Sequence, residues 1–182
     1  MKKKRLLVVL LMFLVSSFIL LKSGVAKAQS FWGKTEYGMT VEQVKKVVPN
    51  AVCPSDPHHL AKDKEIKELL RVDEIILVGE PFCVSFFFKE NKLYQVSLSL
   101  KKEHSEGNTE NIFNRLVDAL RVKYGKEITY REEKGERIFN SLEATWISGR
   151  TNISLTALGS EDELVYLSIN YQVRIMKEAD KL

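Results

Sequence analysis

The chain has 182 residues, 45% of them hydrophobic and 29% charged, with a formal charge of +4. Such a length and apolar content suit one folded domain with a core of its own and exclude a disordered tail or a fibrous repeat. The positive excess lies at the start: Lys2, Lys3, Lys4, Arg5, Lys22 and Lys27 precede residue 29, and beyond them 22 basic residues face 24 acidic ones, so net charge gives no case for nucleic-acid binding.

Residues 1–28 have the layout of a secretory signal peptide. A basic Lys2–Arg5 stretch precedes an apolar run from Leu6 to Leu21, and Ala26-Lys27-Ala28 offers the small-x-small pattern cut by a signal peptidase. The run of 16 residues is shorter than the roughly 20 needed to span a bilayer. The expectation is therefore cleavage, leaving a periplasmic or secreted single domain over 29–182; an uncleaved N-terminal membrane anchor is the alternative.

Phe31 and Trp32 are apolar enough to dock on a core. After them Thr40 is placed to cap a helix, with Gln43 three residues on to close a capping box and Met39 and Val44 to form a hydrophobic staple. Val44, Val47 and Val48 give that helix one apolar side, and Pro49 ends it. Asn50 to Lys62, with Cys53 and the His58-His59 pair, reads as a loop, Glu65 to Arg71 as a short helix, and Asp73 to Val78 as a strand.

Pro81 to Leu100 is the clearest strand pattern. Phe82, Val84, Phe86 and Phe88 alternate with Cys83, Ser85 and Lys89; after a Lys89-Glu90-Asn91-Lys92 turn, Tyr94, Val96, Leu98 and Leu100 alternate with Gln95, Ser97 and Ser99. A hairpin alone is marginal in water, so its aromatic face needs a cover. The cover expected is a helix over Thr109 to Tyr124, whose Ile112, Phe113, Leu116, Val117, Leu120 and Tyr124 keep the helical period between a cap at Asn108 or Thr109 and a stop at Gly125. Beyond it, Ile128 to Arg131 leads into a charged excursion at Glu132 to Arg137. Three alternating strands follow, built on Leu142, Ala144 and Trp146, on Ile153, Leu155 and Ala157, and on Val165, Leu167, Ile169, Tyr171 and Val173; the tail from Met176 is charged.

The fold class that results is α+β, an antiparallel sheet with helices packed on one face. The order helix, strands, helix, strands would fit two related halves, although no residue-level repeat accompanies it. Cys53 and Cys83 form an even pair in an exported chain and are expected to be joined as a disulfide, which in the chain-entropy model would contribute about 3 to 4 kcal/mol. A metal site from Cys53, His58, His59 and Cys83 has the chemistry but lacks C-x-x-C or H-x-x-x-H spacing.

Sequence signals for catalysis are missing: no G-x-S-x-G, H-E-x-x-H or G-x-x-x-x-G-K occurs. No catalytic residue, cofactor or metal is assigned. A more informative set is the side of the sheet turned from the helices, where Gln95, Ser97, Asn152, Ser154, Tyr166, Ser168 and Asn170 would make a neutral polar surface with a tyrosine on it. Ordinary wet sheet faces carry Lys and Glu, whereas neutral polar residues with aromatics are typical of adaptable contact surfaces.

Gly38-Met39-Thr40-Val41-Glu42-Gln43-Val44 resembles the G-M-T-x-x-Q-V motif of the BamE (SmpA/OmlA) outer-membrane assembly factors, and the layout resembles both that family and the beta-lactamase inhibitor proteins. The resemblance implies an envelope protein that binds other proteins and does no catalysis. It departs from BamE in having no lipidated cysteine and in carrying a second helix-plus-sheet unit. The expected function is a non-catalytic binding module with a protein partner in the cell envelope, in contact with membrane only through the export signal or anchor. The alternative is a small envelope hydrolase or metal-binding protein using His58 and His59.

Overall fold

The computed structural model describes residues 30–60, 63–101, 108–134, 140–159 and 164–174. The expected signal segment, the tip of the charged excursion and the tail from Met176 lie outside the described residues. Among the described residues two helices, α1 (Val41–Val47) and α2 (Thr109–Tyr124), accompany eight strands: β1 (His59–Leu60), β2 (Asp63–Leu77), β3 (Glu80–Lys89), β4 (Lys92–Leu100), β5 (Thr129–Lys134), β6 (Asn140–Ser148), β7 (Thr151–Gly159) and β8 (Leu164–Val173).

All eight strands form one antiparallel sheet in the order β1-β2-β3-β4-β8-β7-β6-β5, curled into a half-barrel. Consecutive strands are neighbours within β1–β4 and within β5–β8, as short turns dictate. The two runs meet where β4 pairs with β8, from Gln95 opposite Gln172 to Ser99 opposite Ser168.

The hairpin forms as its alternation requires. Phe82, Phe86, Val96 and Leu98 are buried on one face together with Leu155, Leu167 and Ile169, and into the same cluster both helices send their apolar sides, Val44 and Val48 from α1 and Ile112, Phe113, Leu116, Val117 and Leu120 from α2. Each such side chain, once fully buried, contributes on the order of 1.5 to 3 kcal/mol. Asn108 caps α2 by accepting hydrogen bonds from the backbone N–H groups of Glu110 and Asn111. At α1 the capping box closes both ways: Thr40 N–H donates to Gln43 Oε1 at 2.8 Å, and Gln43 N–H donates to Thr40 Oγ1 at 3.3 Å. A helix of seven residues does not persist alone. Its entry is tied to the sheet, since Gly38 N–H donates to the Leu93 carbonyl and Leu93 N–H to the Met39 carbonyl.

Three expectations need correction. Residues 65–71 are not helical: they belong to the 15-residue strand β2, where Ile66, Leu70 and Val72 are buried. Its sequence carries both periods, and pairing from Lys67 to Leu77 along β3 decides in favour of the strand. The charged excursion is in part a strand too, for β5 extends to Lys134 and pairs with β6. Tyr94 does not point into the core. A register shift after Phe87 gives that inward place to Leu93, which is fully buried, as expected of a bulge that inserts one residue.

The β3–β4 turn has φ of 49° at Glu90 and 58° at Asn91, the two positive values of a type I′ turn. Asparagine tolerates that region and glutamate does not, so Glu90→Asn should raise stability by up to about 1 kcal/mol. A urea melt checks this; an unchanged midpoint would mean that the strain is relieved elsewhere.

Candidate functional site

The face of the sheet turned from the helices is polar across its whole width. Following the ladder from strand to strand gives one row, Arg71, Ser85, Ser97, Asn170, Ser154, Thr145 and Thr129, none of them fully exposed. A parallel row runs through Cys83, Ser99, Ser168, Thr156 and Glu143, and another through Glu68, Phe87, Gln95, Gln172 and Asn152. Side chains directly opposite in an antiparallel ladder lie within reach of one another, so such rows are contact chains.

At the β4–β8 seam the contacts become a network. Gln95 Nε2 donates to Ser97 Oγ at 2.7 Å and to Asn170 Oδ1 at 3.2 Å; Ser97 Oγ donates to Asn170 Oδ1, Asn170 Nδ2 donates to Ser168 Oγ, and Gln172 Nε2 donates to Gln95 Oε1. Gln95, Ser97 and Ser168 are consequently buried although no helix covers them. Polar groups can be buried in this way because each is hydrogen-bonded, and among the described residues no buried side-chain nitrogen or oxygen lacks a partner.

Of the residues singled out from the sequence, Gln95, Ser97, Ser168 and Asn170 meet directly, Ser154 lies opposite Asn170, and Asn152 lies opposite Gln172. Tyr166 stands apart toward one end, opposite Leu158, and both are substantially exposed. The centre of the face is thus closed on itself, and what a visitor would reach are Asn152, Asn170, Gln172 and Tyr166.

Beside the network is a hollow of about 350 Å³. Gln95, Asn170 and Gln172 line it on one side, and Leu60, Ile66 and Tyr94, with Asp63, on the other. Strand β3 lies between β2 and β4 in the ladder, so the sheet bends toward this face to bring both groups to one cavity. Ile66 and Phe87 are buried here outside the main core. Sequence alternation identified the amides but not the wall, because Tyr94 comes to the hollow only through the bulge.

At the β2 end the face carries a buried charge. Glu68, with no exposed side-chain surface, accepts from Arg71 Nε at 2.8 Å and Nη2 at 2.7 Å, and from the backbone N–H of His58 at 3.0 Å. Arg71 Nη1 also reaches Asp56 Oδ1 at 2.9 Å. Burial pushes the Glu68 carboxyl up, but the Arg71 guanidinium together with hydrogen bonds from Ser85 and the His58 N–H outweighs it and leaves the carboxyl below its ordinary range. This cluster straps residues 52–60 to the outer edge of β2, where Val52 also bridges Arg71.

Cys53 is exposed, with its Sγ 3.7 Å from Lys45 Nζ, Cys83 is half-buried on β3, and the two are not bonded to each other in this structure. Burial pushes the Cys83 thiol up, away from thiolate reactivity. The histidines diverge as well: the His58 backbone binds Glu68, while the His59 ring meets the Lys64 carbonyl at 3.1 Å. No three of His, Cys, Asp and Glu among the described residues are grouped so as to hold a metal ion.

Compared with family models, curated proteins and solved structures, the chain matches none. Among the described residues no helix is long and apolar enough to cross a membrane.

Proposed function

We propose that this chain is an exported, non-catalytic binding module that receives a protein partner of the cell envelope on the uncovered face of its sheet. The observation that carries the reading is the composition of that face from β4 through β8 to β7, where Ser, Thr, Asn and Gln stand side by side, with Tyr166 and Leu158 exposed at one end. Neutral, hydrogen-bonding side chains can be desolvated without stranding charge, and an exposed tyrosine supplies contact area at low entropic cost. The G-M-T-x-x-Q-V resemblance and the export-signal pattern support the envelope setting, and the repeated order of helix and four strands supports two related halves meeting at the β4–β8 seam.

The test is capture from envelope extract with the full-length chain, purified as the cell processes it. Tyr166→Asp combined with Asn152→Arg should lose a protein that the wild type retains, while Val122→Asp, on the far side and 91% exposed, should keep it. Identical captured proteins in all three samples, with melting temperatures matched, would end this reading.

A further inference from the structure

We propose that the hollow between the β1–β2 hairpin and the β4–β8 seam is a binding site for a neutral pyranose sugar carrying an acetamido group. The inference is separate from the protein-partner reading and does not depend on it.

The size is suitable, since about 350 Å³ is at the lower end for small-ligand sites. The polar side is preorganised. Gln95, only 3% exposed, commits both N–H groups of its amide to Ser97 and Asn170, which fixes the orientation of its neighbours. An amide NH2 carries two N–H groups, and Asn170 and Gln172 each spend one within the network. Their second N–H groups make no hydrogen bond within the network; Asn170 Oδ1 already accepts twice, from Gln95 and Ser97, and Gln95 Oε1 once, from Gln172, which leaves Gln172 Oε1 as the open acceptor. Two donors and an acceptor of this kind match the vicinal hydroxyls and the acetamide of such a sugar.

The opposite wall is apolar, with Leu60, the buried Ile66 and the Tyr94 ring. A pyranose ring presents C–H groups on one face and hydroxyls at its rim, and the acetamido methyl adds a further apolar contact. The wall and the amides together suit that division better than the rivals. A lipid tail would strand the amides against hydrocarbon. A charged ligand would find no spare counter-charge, because the one carboxylate lining the hollow, Asp63, is already paired with Lys89 at 2.8 Å.

The experiment is a titration of the 15N-labelled full-length chain, purified as the cell processes it, with N,N′-diacetylchitobiose, followed by amide and side-chain NH2 resonances. The expected result is saturable movement of the Asn170 and Gln172 NH2 signals, with a dissociation constant of millimolar order and no response to sodium glucuronate. Gln172→Leu, which removes the donor, and Leu60→Trp, which fills the hollow from a different strand, should each weaken binding at least about tenfold. Folding of both variants is read from the dispersion of the same spectra. No movement at about 20 mM sugar, equal response to glucuronate, or undiminished binding in a folded variant would overturn the assignment. Loss of the captured protein partner would leave it untouched.

Discussion

Arg71→Met should destabilise the protein by about 3 to 5 kcal/mol, because it leaves the Glu68 carboxylate buried without its counter-charge. Against a total of roughly 5 to 15 kcal/mol this is a large fraction. Urea unfolding measures it, and a loss below about 1 kcal/mol would show the pair to behave like a surface ion pair. Glu68→Leu together with Arg71→Met should recover much of the loss, since an apolar pair needs no compensation.

The pH dependence carries the sign. In the wild type the Glu68 carboxyl is lowered from 4.5 on folding, so the stability it confers is present above that value and is lost as pH falls through the lowered one. Glu127, held down to about 2 by Arg121 at 2.6 Å, adds a loss of the same sign between pH 4.5 and 2. Without Arg71 the guanidinium no longer opposes burial, and only the hydrogen bonds from Ser85 and the His58 N–H still lower the Glu68 carboxyl. The variant should therefore lose less stability than the wild type as pH falls through the range in which Glu68 titrates. Parallel curves for the two proteins would refute the assignment of Glu68 as the titrating group.

Trp146→Ala should cost about 3 to 5 kcal/mol. The indole is 1% exposed, lies opposite Ile153 in the β6–β7 ladder, and donates from Nε1 to the Gly125 carbonyl at 2.9 Å. It thus fills the core and holds the end of α2, where Gly125 accommodates a φ of 83°. Trp146→Phe keeps most of the packing and loses the hydrogen bond, so it should cost only about 1 to 2 kcal/mol. Equal losses in the two variants, measured by thermal melts, would place the whole effect in the bond, and no loss in Trp146→Phe would place it in packing.

Much of the fold was legible because its elements obey a single period each. The alternation of Phe82 to Phe88 and of Leu167 to Tyr171, the capping box at Thr40 and the stripe from Ile112 to Leu120 all read the same way locally and globally. What was hidden depended on partners distant in sequence. Residues 65–71 fit both periods until β3 is beside them, and Tyr94 changes side through a bulge that alternation does not announce. A glutamate inside a charged segment gives no sign that it will be buried by an arginine three residues away. The amides of the candidate site were legible as a polar face, but the network that buries three of its members, and the hollow beside it, required the sheet to bend.

The β4–β8 seam has a consequence for how the polypeptide is made. Since β8 follows β4 by some 60 residues, with α2 and three other strands between them, the hydrogen-bonding edge of β4 waits for all of these to be made before its neighbour arrives. Until then a greasy hairpin with an open margin is available to any other extended segment. Slow synthesis should therefore favour clumping at that stage, and a short peptide copying residues 164–174 should intercept nascent chains and leave completed ones unaffected.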